Sequence, residues 1–305
     1  MADHSLRSRL SDLLGFAVPA APPELAVLEE RVRDGYTERL VRYPGHGGDP
    51  VPAFLLRPDG DGPFPGVVAH HQHHSQFHLG KSEVTGRAGD PLQAFGPALA
   101  RRGVAVLAPD AIAFEDRRLR ARGTEPAAGD GPQHHNEMSY RLVRGELLMT
   151  TVLGDAAAAL SVLAAQPAVD ARRIGLVGHS YGGNTTLFHA ALDERVRLAA
   201  ASGSACTYRR RMADRTQIEL AQIVPGILAV ADVDDVVGLI APRPLLLVSA
   251  TEDPYSADAD EIARAAGPAY PGLRHVRYAG GHGLTPERFE LIVDWVAARA
   301  GAAAA

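Results

Sequence analysis

Within 305 residues there is a single cysteine, Cys206, so the sequence can form no internal disulfide and no paired-thiol metal site. That usage fits a reducing cytoplasm, the expected location. Basic charge is not in excess either: 31 Lys+Arg against 36 Asp+Glu leave a formal charge of -5, which gives no electrostatic footprint for nucleic acid or an anionic membrane. Long apolar runs are missing. Leu13 to Val18 is apolar but short, preceded by Asp12 and followed by Pro19, a poor signal peptide that cannot span a bilayer. There is no His-Glu-x-x-His helix, no internal repeat and no linker-like stretch. What is present is material for a core: 46% hydrophobic and 22% charged residues suit one globular catalytic domain spanning residues 1–305.

The apolar pattern is that of an alternating α/β chain. An amphipathic docking helix is expected from about Leu6 to Leu14, within an N-terminal helical extension over residues 1–35. Tyr36 to Tyr43 and Val51 to Leu56 read as antiparallel strands joined by the turn Pro44-Gly45-His46-Gly47-Gly48-Asp49. Parallel units follow. Pro65 to Ala69 and Val104 to Ala108 read as strands, Pro91 to Arg102 as a helix, and Tyr140 to Gln166 as one long helix with an irregularity at Gly154. Ile174 to Val177, Pro244 to Val248 and Arg274 to Tyr278 read as later strands, and Asn184 to Leu192 as a helix; the alanine-rich tail, Ala297 to Ala305, reads as frayed.

Between the strand ending at Val177 and the helix from Asn184 lies Gly178-His179-Ser180-Tyr181-Gly182-Gly183. A serine projected from a sharp strand-to-helix turn needs very small residues two positions either side, because a Cβ there would strike the adjoining backbone. Gly178 and Gly182 meet that demand, so Ser180 is the expected nucleophile. The pentapeptide alone is weak in a chain with 31 glycines; an ordinary glycine-rich turn is the competing reading, and the flanking elements favour the elbow.

A serine hydroxyl needs a base, and the base needs a partner to fix its tautomer. After the strand ending at Val248 comes Ser249-Ala250-Thr251-Glu252-Asp253-Pro254, and after Tyr278 comes Ala279-Gly280-Gly281-His282-Gly283. Asp253 is the expected acid and His282 the expected base. Glu252 and Asp258 compete for the acid, and Asp253 also suits a cap for the segment Ala257 to Ala266; His275 competes for the base but falls inside a strand-like alternation. The order Ser180, Asp253, His282 is the one that α/β-hydrolase connectivity imposes.

Acyl transfer also needs donors for the oxyanion. The N–H of Tyr181 follows from the elbow, and a second should come from the loop after Ala69, at His73 or, less well, Gln72. That loop is His70-His71-Gln72-His73-His74, which with His78, His134 and His135 has a rival reading as a metal site. Alternate residues of an extended segment face opposite ways, so only some could reach one ion; the expectation is no metal and no cofactor.

These residues resemble the α/β-hydrolase superfamily, in its dienelactone-hydrolase-like and acetyl-xylan-esterase-like branch. Gly66 to His73 resembles that branch's strand and His-Gly oxyanion loop, with His71 at the family histidine; Gly178 to Gly183 resembles its elbow, and Ile240 to Leu246 its approach to the acid-bearing strand. Gln72 stands where many members have glycine. Dienelactone hydrolases proper carry a nucleophilic cysteine, whereas here the elbow holds Ser180 and Cys206 lies outside it. The resemblance implies a mostly parallel, doubly wound sheet with helices on both faces, and a serine esterase.

Two stretches exceed the minimal alternation, 114–139 and 204–233, and are expected to shape the pocket at the carboxyl edge of the sheet. The second carries Tyr208-Arg209-Arg210-Arg211, which reads equally as a solvated basic turn ahead of a core-packing helix or as an anion-binding lid. His71, His74 and Tyr208 are the expected substrate contacts. The reaction expected is hydrolysis of a small-molecule carboxylic ester through an acyl-enzyme. A lactone, thioester or peptide substrate remains open to the same triad, as do a non-catalytic ligand-binding homologue, a metal-dependent hydrolase and a homo-oligomer.

Overall fold

Strand residues of this chain alternate between two apolar layers, and that alternation builds the architecture. In the computed structural model, which describes residues 4–120 and 122–302, Val67 and Ala69 face one core while Val68 faces the other. Leu245 and Leu247 likewise oppose Leu246 and Val248. A strand apolar on both faces must be covered twice, which demands helices on both sides.

Among the described residues the strands are β1 (Ala26–Arg33), β2 (Tyr36–Pro44), β3 (Pro50–Pro58), β4 (Phe64–His70), β5 (Ala105–Pro109), β6 (Val169–His179), β7 (Leu198–Ser202), β8 (Leu245–Ala250) and β9 (Leu273–Tyr278). They form one sheet in the order β1-β2-β3-β5-β4-β6-β7-β8-β9, with β1, β2, β3 and β5 paired antiparallel and the run from β5 through β4 to β9 parallel. The α-helices are α1 (His4–Leu14), α2 (Lys81–Val84), α3 (Phe95–Ala100), α4 (Asp130–Val143), α5 (Leu148–Ala164), α6 (Tyr181–Leu192), α7 (Tyr208–Asp214), α8 (Val233–Ile240), α9 (Ala259–Ala266) and α10 (Pro286–Ala302). Helices α1, α5, α6, α8 and α9 feed one core and α3 and α10 the other. The fold is the expected α/β-hydrolase sheet, and each parallel strand ends at the same rim.

Four local expectations are corrected. Residues 1–35 are not a purely helical extension: α1 buries Leu10 and Leu14 as a docking helix does, but 26–33 is an edge strand. Every residue of β1 is exposed, so no apolar face marks it; the readable signal was Asp34-Gly35, a two-residue hairpin turn with Gly35 at φ +84°. The helix expected over 140–166 is two helices bent by 108°, because Gly145 at φ +77° ends α4. Gly154 continues α5 regularly; its absent side chain makes room for His46, whose Nδ1 would lie 2.7 Å from a Cβ there. The helix expected over 91–102 shrinks to one 3-10 turn, Pro91–Gln93, and α3. At the tail, α10 is helical through Ala302; residues 303–305 lie outside the described residues. Among the described residues no single helix is long and apolar enough to cross a membrane.

Candidate active site

The turn from β6 into α6 is tighter than any ordinary side chain at its flanks allows. A Cβ on Gly178 would come within 2.3 Å of Gly182 backbone atoms, and one on Gly182 within 2.2 Å of the His70 carbonyl oxygen. Ser180 itself takes φ +57°, ψ -117°, a conformation that costs a non-glycine residue of order 1–3 kcal/mol. Its own N–H is anchored on Ser202 O at 2.8 Å and its carbonyl accepts from Asn184 N at 2.9 Å. The strain holds the hydroxyl up at the parallel rim.

Asp253 and His282 reach the same point from the loops after β8 and β9. His282 Nε2 lies 2.8 Å from Ser180 Oγ, and His282 Nδ1 lies 2.9 Å from Asp253 Oδ1. Asp253 is buried and also accepts from Ser256 Oγ at 2.6 Å and from the Tyr255 N–H at 2.9 Å. Burial works against its charge, but His282 and those two donors hold the carboxyl below the usual carboxylate range. The competing residues are elsewhere. Glu252 is exposed, Asp258 accepts from Thr207, and His275 in β9 bonds Ser249 Oγ at 2.8 Å and faces Asp260. Asp253 does cap a helical turn, that of Pro254–Ser256, and not α9.

Beneath His282 lies His179, with ring centroids 4.9 Å apart; Nδ1 of His179 shares a 3.1 Å hydrogen bond with Ser202 Oγ. Burial, reinforced by His282, lowers its pKa to about 3. Gly203, at φ +61°, closes the other side. Tyr255 packs edge-on to His282 at 4.9 Å. Cys206 is buried outside the elbow, and burial pushes its thiol up to about 11, so it stays a thiol.

Ser180 and His282 open onto a cavity of about 610 Å³, whose lining includes His73, His74, Phe77, Tyr181, Arg211 and Glu219. Of the expected contacts, Tyr181, His73 and His74 line it. The side chain of Gln72 turns away to donate to Glu83 Oε1, a contact that does not involve the backbone N–H expected of it. Two expected contacts are corrected. His71 is buried against Phe114, accepts the Ala111 N–H at Nε2, and is lowered to about 4 chiefly by burial, so it is a packed strut beside the cavity. Tyr208 is buried too, its hydroxyl donating to Gln222 O. Of the two added stretches, 204–233 lines the cavity through Arg211, Gln217, Glu219 and Leu220, whereas 114–139 supplies packing behind the wall: Phe114 and His134 pack edge-on against His73. Sequence reading did not name Phe77, Asn184, Gly203, Tyr255, Gln217 or Glu219 in the lining; Gln217 and Glu219 fall in the stretch expected to shape the pocket, Asn184 and Gly203 stand close after elbow and strand, and Phe77 and Tyr255 carried no signal.

From the histidine-rich segments the structure brings His73 and His134 together with Glu219, their ligand atoms within 4.8 Å of one another. The fit to an ion is poor. The Ser75 N–H donates to His73 Nδ1 at 3.0 Å, so the neutral ring carries its proton on Nε2 and has no lone pair to spare. The second such group, Asp110, Glu115 and Asp116, is already filled by the ammonium of Lys81.

Sheet order, elbow turn and rim loops together define an α/β-hydrolase. Comparison with known proteins narrows this. A family model for acetyl xylan esterase (AXE1) matches residues 103–220. A curated relative, the "Putative hydrolase YtaP" of Bacillus subtilis, is 29% identical over 293 residues, covering 90% of this chain and 92% of its own. Among solved structures, a putative acetyl xylan esterase from Bacteroides fragilis superposes with a TM-score of 0.73 at 17% identity, covering 90% of this chain and 74% of that one. Acetyl Xylan Esterase 1 from Thermoanaerobacterium sp. gives 0.64 at 16%, covering 97% and 94%. The chain has the α/β-hydrolase fold in common with these esterases and is similar to the acetyl xylan esterase family over residues 103–220.

Proposed function

We propose that the chain hydrolyses a small-molecule carboxylic ester through an acyl-enzyme, with Ser180 as nucleophile, His282 as general base and acid, and Asp253 as the group that orients His282. The observation that carries this is the continuous relay at the mouth of the cavity, 2.8 Å from Ser180 Oγ to His282 Nε2 and 2.9 Å from His282 Nδ1 to Asp253. An ionised Asp253 only accepts, so Nδ1 carries the proton and donates it. Nε2 then has its lone pair free to accept the serine proton.

Attack of Ser180 Oγ on the ester carbonyl passes that proton to His282 Nε2 and places a negative charge on the carbonyl oxygen. The Tyr181 N–H, at the first turn of α6, has no acceptor inside the helix, and among the described residues the His73 N–H has none either. These two N–H groups are the oxyanion donors in this reading, each worth roughly 3 kcal/mol of barrier. As the tetrahedral intermediate collapses, the C–O bond to the alcohol breaks and His282 protonates the departing oxygen. Water then attacks the acyl-enzyme, giving its proton to His282, and the carboxylic acid leaves as Ser180 regains its hydrogen.

The cavity volume of about 610 Å³ suits a small molecule. Residues 1–305 act in this reading as one catalytic unit, with 204–233 as a cavity wall and 114–139 as its support. Ser180→Ala is expected to abolish turnover of a short-chain aryl ester while the thermal melting curve is kept. A fluorophosphonate should label the native protein at Ser180, with or without prior chelator treatment. Full activity in the alanine variant, or activity that follows metal stripping, would overturn the reading.

A further inference from the structure

Three arginines follow one another on α7, and only the third turns inward. Arg209 pairs with Asp232 and Arg210 with Asp214, both from largely exposed positions. Arg211 is only 2% exposed, yet it borders the cavity that Ser180 and His282 share. Its Nη1 donates to Gln222 Oε1 at 3.2 Å, and the guanidinium sits 5.8 Å from the centroid of Tyr255, the ring packed against His282.

The other two nitrogens of this guanidinium are enclosed and unpartnered. Nε and Nη2 are buried without a hydrogen-bond partner, and among the described residues no carboxylate lies within ion-pair distance. Arg118, equally enclosed, is satisfied by Asp130 and three backbone carbonyls. A buried guanidinium left unpaired is a costly arrangement, because desolvation is not offset by any anion. Glu219 shares the cavity but is turned elsewhere, accepting the Ala221 N–H and standing 3.5 Å from His134 Nε2.

The free edge has a defined preference. Twice among the described residues the same pair of nitrogens grips a carboxylate through both oxygens: Arg172 holds Asp170 with Nε and Nη2 each at 3.1 Å, and Arg195 holds Asp193 at 2.9 and 2.6 Å. A planar, two-oxygen anion is what this fork matches. Asn184 lines the same cavity and has an unpartnered side-chain oxygen.

We propose that the ester cleaved at Ser180 carries a second, free carboxylate, which docks on the Nε and Nη2 edge of Arg211. The inference rests on Ser180 being the nucleophile. The substrates are then half-esters of polycarboxylic acids or esters of other acid-bearing molecules, held at one end by Arg211 while the scissile carbonyl meets the elbow.

The test is a series of aryl half-esters of linear dicarboxylic acids of increasing length, each paired with the neutral analogue in which the free carboxylate is a carboxamide. One chain length should be preferred over its carboxamide by roughly 10- to 100-fold in kcat/KM, mostly through KM, the usual worth of a charge-assisted hydrogen-bond pair. Arg211→Lys should shrink that ratio and Arg211→Met should remove it. Wild-type protein, with no substitution to disturb its folding, should be inhibited competitively by the free dicarboxylate of that length and not by its diamide, nor by sulfate or phosphate at equal concentration. Equal turnover of acid and amide at every length, or a preference that survives Arg211→Met, overturns this inference and leaves the Ser180 reading standing. No turnover of any ester together with no labelling of Ser180 overturns both.

Discussion

Gly203→Ala tests the relay without altering any group in it. Gly203 follows β7 at φ +61°, and a Cβ built there would lie 2.9 Å from His179 Cε1 and 2.9 Å from His282 Cε1. Ordinary carbon–carbon contact begins at about 3.5 Å, so both contacts must lengthen by roughly 0.6 Å, the new methyl shifting off the fixed ring and pushing the looser one. His179 is buried and tied to Ser202, whereas His282 is partly exposed on its loop, so His282 is the ring that yields. A shift of that size stretches the 2.8 Å contact with Ser180 or the 2.9 Å contact with Asp253 out of good hydrogen-bond range. Misplacement by about 1 Å costs on the order of 10²-fold, so kcat on an aryl ester should drop roughly 10- to 100-fold. Left-handed backbone adds about 1–2 kcal/mol of instability. Gly103→Ala is the control, since Gly103 has φ +79° and nothing within 4 Å of its would-be Cβ: it should share the stability loss and keep the rate. Steady-state kinetics, the rate of fluorophosphonate labelling and a melting curve read all three quantities. If Gly203→Ala keeps kcat within about threefold of wild type, the imidazole is not held where the mechanism needs it.

Asp253→Asn should lower kcat by about 10³- to 10⁴-fold with little change in fold, since an amide donor facing Nδ1 would favour the tautomer that cannot accept the serine proton. Glu252→Gln should stay near wild type, and the reverse ranking would move the acid to Glu252. Acid should destabilise the fold through its buried imidazoles, against a smaller opposing contribution from Asp110, whose carboxyl is raised to about 7 by burial. His179 and His71 are lowered by burial from 6.5 to about 3 and about 4, so below about pH 6.5 the unfolded chain binds protons that the folded one refuses. Each then removes about 1.4 kcal/mol per pH unit as pH falls, until its folded pKa is reached. Denaturant midpoints that stay level from about pH 7 to about pH 5 would contradict that burial.

Two kinds of information divide this protein. Apolar alternation and the glycines around Ser180 are local constraints, because a strand covered on both faces and a turn with no room for a Cβ must each be written into neighbouring residues. Hence the sheet and the elbow were legible in the chain, as was the order of Ser180, Asp253 and His282. The edge strand 26–33 was obscured because all its side chains face solvent, and the break at Arg144-Gly145-Glu146 because apolar residues resume on both sides of it. Why Arg211 is enclosed while Arg209 and Arg210 are paired at the surface, and why His73 lines the cavity while His71 is a packed strut, no run of adjacent letters records. Those outcomes depend on which loops meet at the rim: burial and the choice of hydrogen-bond partner are properties of segments far apart in sequence, and folding alone brings them within reach.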